Sequence, residues 1–308
     1  MTRQARNGYA LAVAAAAISG GAVYVNSLGV GLFKDAATYT TLKNGVTGIL
    51  ALVPLLALGA PRAELRRLTR AEAGWLAVLA VISGSVPFLL FFRGLQLSGP
   101  VAGALFNHLQ FAVVAILAAA VLRERITMPM WVGLAALVVV TNFGIDLGAV
   151  RLGTGTALLT ASTVLFAAGF VVAKHLLRRL STTTVMAARM SLGSLLLLGY
   201  LATTGGLGGL AHLRAGQWLM VLGTGAILFA FTATTLAAIK RAPVSVVLAI
   251  SMASPLVTLL LQAARSGHLR VAPADGLTLV AVAAVVVLAA RGMPTARRPR
   301  LVSGLRQD

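Results

Sequence analysis

The sequence predicts an all-α integral membrane protein of ten transmembrane helices, arranged as two inverted repeats of five. Three observations lead there. Of 308 residues, 58% are hydrophobic and only 11% charged, with a mean hydropathy of +0.92, far too apolar for an ordinary soluble domain. Apolar windows of about 20 residues, the length a spanning helix needs, recur along the whole chain. The chain is also written twice. Lys43 in TYTTLKNGVTGILAL stands 146 positions before Arg189 in TTVMAARMSLGSLLLL, and Pro100 stands 143 before Pro243.

Taken in order, the first window, near 8–32, follows Arg3 and Arg6 and carries Tyr24 and Asn26. Its alanine-rich core also fits a cleaved signal peptide, but removing it would leave nine spans and break the agreement between halves. The second, near 38–59, carries Lys43 and Pro54. The third, near 73–95, starts at Trp75, a residue suited to a membrane interface, and holds Pro87, Phe88, Phe91 and Phe92. The fourth, near 99–121, opens on Pro100 and carries Asn107, His108 and Gln110, the densest polar cluster in any span. The fifth lies near 129–146. Spans six to nine, near 154–174, 182–203, 215–238 and 243–263, carry in turn Phe166 and Phe170, Arg189, Trp218 with Phe229 and Phe231, and Pro255. The tenth lies near 273–291. Residues 8–146 and 154–291 thus form the two repeats, and 292–308 a basic cytoplasmic tail. Prolines inside spans permit kinks, and glycine pairs such as Gly20-Gly21 suit close helix approach in lipid.

The net charge of +19 suggests nucleic acid in a soluble protein. In a membrane protein it reports topology, because Lys and Arg accumulate in cytoplasmic loops. With the N-terminus in the cytoplasm, 18 of the 26 basic residues fall on that side and six on the other, while Lys43 and Arg189 stay inside spans. Both termini are therefore expected in the cytoplasm. An odd number of spans per copy makes the second copy start on the opposite side, so the repeats are inverted and Lys43 and Arg189 enter from opposite faces.

Several function classes fall away. The chain has no cysteine, and four scattered histidines at no ligand spacing support no metal site. No cofactor is expected. No nucleophile and base are paired by spacing, so a membrane enzyme is a remote alternative, and a receptor has no obvious use for internal duplication. All seven acidic residues fall in loops or at span ends, which argues against proton-coupled export of lipophilic cations through a membrane carboxylate.

The stretch LSGPVAGALFNHLQFAVVAILAAAVLRERIT, 97–127, resembles the most recognisable part of the EamA family of the drug/metabolite transporter superfamily, with a small-residue opening and a closing Glu124, Arg125 and Thr127. KRAPVSVVLAISMASPLVTLLLQAARSGHLR shows the same opening and the mid-helix Pro255, but has Gly267 in place of Glu124. Lys43 stands where the family usually has Arg, and the family's first-helix Trp is absent. The resemblance, which extends to YddG-type amino-acid and metabolite exporters, implies a multi-pass exporter of the cytoplasmic (inner) membrane. It implies alternating access at a central cavity between the repeats, with amino acids as first substrate, apolar or aromatic ones among them, and drugs or nucleobase-like compounds as the alternative. The partners are then a small-molecule substrate and the lipid bilayer, with no nucleic acid; the oligomeric state, a monomer or more, is left open.

The candidate cavity residues are Tyr24, Lys43, Phe88, Phe92, Asn107, His108, Arg189 and Phe229. Lys43 and Arg189 carry charge into spans, where insertion costs about 2.5–3.5 kcal/mol. Either they attract an anionic substrate group or they snorkel to the headgroups and set helix tilt. Asn107 and His108 either wet the cavity or bond a neighbouring helix, and His108 alone titrates near neutrality when unperturbed. The aromatic residues lie on spans that surround the cavity in the family. Glu124 is expected to cap its helix at the headgroups, paired with the neighbouring arginines.

Overall fold

A computed structural model describes residues 3–29, 32–33, 36–124, 126–141, 152–266, 276–277, 280–284 and 287–288. Among them every regular element is helical. The first half contains α1 (Arg3–Gly29), α2 (Ala36–Ala57), α3 (Gly59–Arg66), α4 (Arg70–Leu79), a π-helical turn (Ala80–Ser85), α5 (Val86–Leu122) and α6 (Met128–Thr141). The second contains α7 (Thr154–Leu176), α8 (Thr182–Ala187), a second π-helical turn (Ala188–Leu192), α9 (Gly193–Thr203), a 3₁₀ turn (Gly206–His212), α10 (Ala215–Arg241), α11 (Val244–Ser251) and α12 (Ser254–Ser266).

Seven segments among the described residues are long and apolar enough to cross a membrane: Arg3–Asn26, Ala37–Ala57, Arg70–Gly99, Thr154–Leu176, Thr182–Thr203, Ala215–Arg241 and Val244–Arg265. They coincide with expected spans one to three and six to nine. Spans four and five correspond to the shorter apolar helices His108–Leu122 and Met128–Val139. Most of span ten, the end of span five and the 292–308 tail lie outside the described residues.

The breaks have local causes. Within α5, Gly99 adopts φ 78° and ψ 173°, a backbone open to glycine and hostile to a side chain. Pro100 follows, restrains the residue before it from helical geometry, and suits the first position of a new helix. In span nine the helix stops at Met252 and Ala253 and restarts at Ser254, so the break precedes Pro255 rather than centring on it.

Matching helices of the two halves run antiparallel, as inversion requires. Glu64 at the end of α3, just past α2, accepts a hydrogen bond from Ser181, the residue that starts α8. Glu124, just past α5, accepts one from Val244 at the start of α11. These contacts lie at one end of the bundle, together with Arg62, Arg66, Arg178 and Lys240, and this is the basic end. There the main core forms, with Tyr9, Leu55, Leu79, Val114, Leu176, Met186, Ile239 and Val247 joining helices of both halves in one buried cluster. Outward-facing side chains are apolar too: Ile49 is 66% exposed and Leu219 73%, which suits lipid rather than water.

The halves interlock where backbones touch. Gly84, in the first π-helical turn, lies directly on the carbonyl of Arg189, and a Cβ on Gly193 would stand 2.7 Å from the backbone of Gly84. The mirror contact exists between α10 and α2, where a Cβ on Gly225 would stand 2.7 Å from Val46 Cβ and 3.1 Å from the carbonyl of Lys43. The two basic residues paired by sequence thus each present a carbonyl to a glycine of the other half.

Candidate functional site

A cavity of about 330 Å³ lies between the halves, at the end opposite the basic one. Its first-half wall comes from Ala37, Thr40 and Thr41 of α2 and from Phe88, Leu89, Phe92, Arg93 and Gln96 of α5. The second half contributes Leu197, Tyr200 and Leu201 of α9, with Thr204 and Gly206 beyond it. Helical spacing puts Phe88, Phe92 and Gln96 on one stripe of α5. Phe88 is held edge-on by Phe166 of α7, with ring centroids 5.0 Å apart, and Phe92 packs edge-on to Phe91 at 5.6 Å.

The chemistry of this wall is aromatic, hydroxylic and cationic, with no acidic side chain among its described residues. Arg93 is exposed and supplies the guanidinium. The hydroxyls of Thr40 and Thr41, residues only 2% and 3% exposed, find no hydrogen-bond partner among the described residues. The same holds one turn on for both polar atoms of Asn44, which is fully buried. Buried polar groups normally find partners, so three on one face of α2 without one among the described residues set this stretch apart.

Of the residues expected from sequence, Phe88 and Phe92 come to this cavity. Lys43 does not line it: its amine stands 5.1 Å from the centroid of the Tyr39 ring. The Tyr39 hydroxyl donates to Asn26 and lies 3.0 Å from Thr224 Oγ1. Arg189 is buried at 9% exposure. Its Nε donates at 3.3 Å to the carbonyl of Ser83, and its guanidinium lies 5.6 Å from the Phe170 ring centroid. That carbonyl is available because the residue four places on is Pro87, which has no N–H to give it. Phe229 packs against the basic-end core. Tyr24 on α1 and His108 on α5 are half-buried and are not among the described lining residues. The side chain of Asn107 lies outside what the structure describes.

Thr40, Thr41, Arg93, Gln96 and Tyr200 escape sequence reasoning. The polar run Thr38-Tyr39-Thr40-Thr41 at the head of span two is the available signal for the first two; Arg93 reads from sequence as an outer-loop charge. Glu124 has a further role that sequence reasoning misses: it bonds the start of α11, where unsatisfied backbone N–H groups offer short, directed partners.

A family model described as the EamA-like transporter family matches residues 6–142 and again 153–290. No curated protein matches the sequence. A solved crystal structure whose description names no function superposes with a TM-score of 0.67 at 18% identity, covering 92% of this chain and 98% of its own, which shows a shared fold.

Proposed function

The chain belongs to the EamA-like transporter family, whose members move small solutes across membranes, and on that premise we propose that it exports small metabolites, amino acids first among them, across the cytoplasmic membrane. The observation that carries this reading is the cavity between the halves, open at one end of the bundle and backed at the other by the buried core. A solute held there changes sides when one half rocks against the other. Its wall suits a zwitterion with an apolar body: Arg93 meets a carboxylate, Gln96 accepts from an ammonium, and Phe88, Phe92 and Tyr200 take the side chain. Lys43 and Arg189 act as architecture in this reading, since each is engaged at an inter-half crossing.

Liposomes holding only this protein test it. Labelled phenylalanine and leucine are expected to cross saturably, and Phe88→Ala with Phe92→Ala to lower phenylalanine flux about tenfold through lost ring burial. Flux of uracil or ethidium with none of any amino acid would reverse the substrate ranking.

A further inference from the structure

Resting on the transport reading above, we propose that Glu64 and Glu124 are the gate residues of the transport cycle: two carboxylates of the first half that hold the basic end shut by capping helices of the second. Glu64 Oε1 accepts from Ser181 N at 2.6 Å and Oε2 from Thr184 Oγ1 at 2.9 Å. Glu124 Oε1 accepts from Val244 N at 2.7 Å, and Oε2 from Ser245 N at 3.3 Å and Ser245 Oγ at 2.7 Å. Residue Pro243, in the cap position of α11, offers no side-chain cap of its own, so Glu124 does that task from across the interface.

The lysine contacts described at this end stay within the second half. Lys174 Nζ donates to the carbonyls of Ile239 and, at 2.8 Å, of Ala242, and Lys240 Nζ donates to Leu180 O at 2.8 Å. The lysines therefore tie the second half to itself, while the glutamates tie it to the first. Glu72 also faces the other half, but its 4.0 Å approach to the exposed Arg179 is a loose surface pair. Near the crossings a separate set of bonds joins the halves: Ser191 Oγ to Gly48 O, Ser194 Oγ to Asn44 O, and Thr47 Oγ1 to Gly225 O. Opening the basic end about those crossings breaks the glutamate bonds and leaves the rest in place.

The bond type suits a gate. A carboxylate at a helix start meets the helix's positive end and gains charge-assisted bonds, yet both sides can be taken over by water when the interface parts.

The chain has no native cysteine, so single reporters are clean. Val185→Cys and Val247→Cys, both fully buried behind the two caps, are placed separately in the full chain in liposomes and exposed to a membrane-impermeant maleimide from the basic side. Glu64→Gln with Glu124→Gln is expected to raise labelling of both reporters about tenfold, and to lower labelling of Gln96→Cys, on the exposed cavity wall, from the cavity side. Lys240→Met, which removes a bond within the second half, is expected to change neither. A glutamine double variant that melts lower but labels like the parent makes the carboxylates ordinary caps and overturns the proposal; so does a lysine variant whose labelling rises as much as that of the glutamine variant. Because labelling needs no flux, a chain that moves no solute would sink the transport reading without deciding the gate.

Discussion

A buried hydroxyl without a partner costs about 1–3 kcal/mol, and α2 sets two side by side, Thr40 and Thr41, at the cavity wall. Valine has the same shape and asks for no bond. Thr40→Val with Thr41→Val is therefore expected to raise thermal stability by about 1 kcal/mol and to weaken solute transport about tenfold, two effects of opposite sign. A melting curve in detergent and the half-saturating solute concentration in liposomes check both; a variant that gains stability with unchanged transport takes the threonines off the solute's path. The hydroxyls are hard to see in the sequence because threonine in an apolar run changes hydropathy little. Phe88 and Phe92 are legible, since aromatic density on one stripe survives any shift in helix boundary. Lys43 and Arg189 are legible as a pair, but only coordinates distinguish a cation facing a cavity from one stacked on Tyr39 or Phe170.

Among the elements, the two π-helical turns repay comparison with the helices around them. Each lies at the crossing where Gly84 and Gly193 bring backbones together. Ala at 84 would drive a methyl into the carbonyl of Arg189, a backbone atom that cannot step aside, so Gly84→Ala is expected to cost about 1–3 kcal/mol. Gly199, in the middle of α9, has open space where a methyl would stand, with nothing within 4 Å, and Gly199→Ala is expected to stabilise by about 0.5–1 kcal/mol. Thermal melts of the two variants decide the matter; equal shifts would mean the crossing yields freely. The break at Gly99 is readable because Gly-Pro carries its own geometry. The π-helical turns are not, since one extra residue per turn leaves both composition and apolar pattern unchanged.

For the molecule as a whole, inversion and sidedness are separate statements. Antiparallel running of α2 and α8, and of α5 and α11, follows from the bonds that join their ends. Which end faces the cytoplasm rests on the excess of 18 basic residues over six. Single cysteines replacing the exposed Arg66 and Arg178 are expected to label from the cytoplasmic side of cells, and one replacing Arg214 from the other; the reverse pattern would turn the proposed direction of transport around. Fold class and duplication are plain in the sequence because lipid imposes composition and length, whereas the meeting of Glu124 with Val244 depends on residues 120 positions apart coming to one surface. Closure of the basic end has a kinetic corollary. On the proposed sidedness and cycle, a carrier that rests with its cavity outward offers a solute in the cytoplasm only the minority of its population. Its apparent affinity there falls by that fraction, while the outer side meets the majority form. One protein then shows two unequal half-saturation points, the weaker on the inside. Such a carrier idles at ordinary internal concentrations and opens in proportion to excess, the behaviour of an overflow valve.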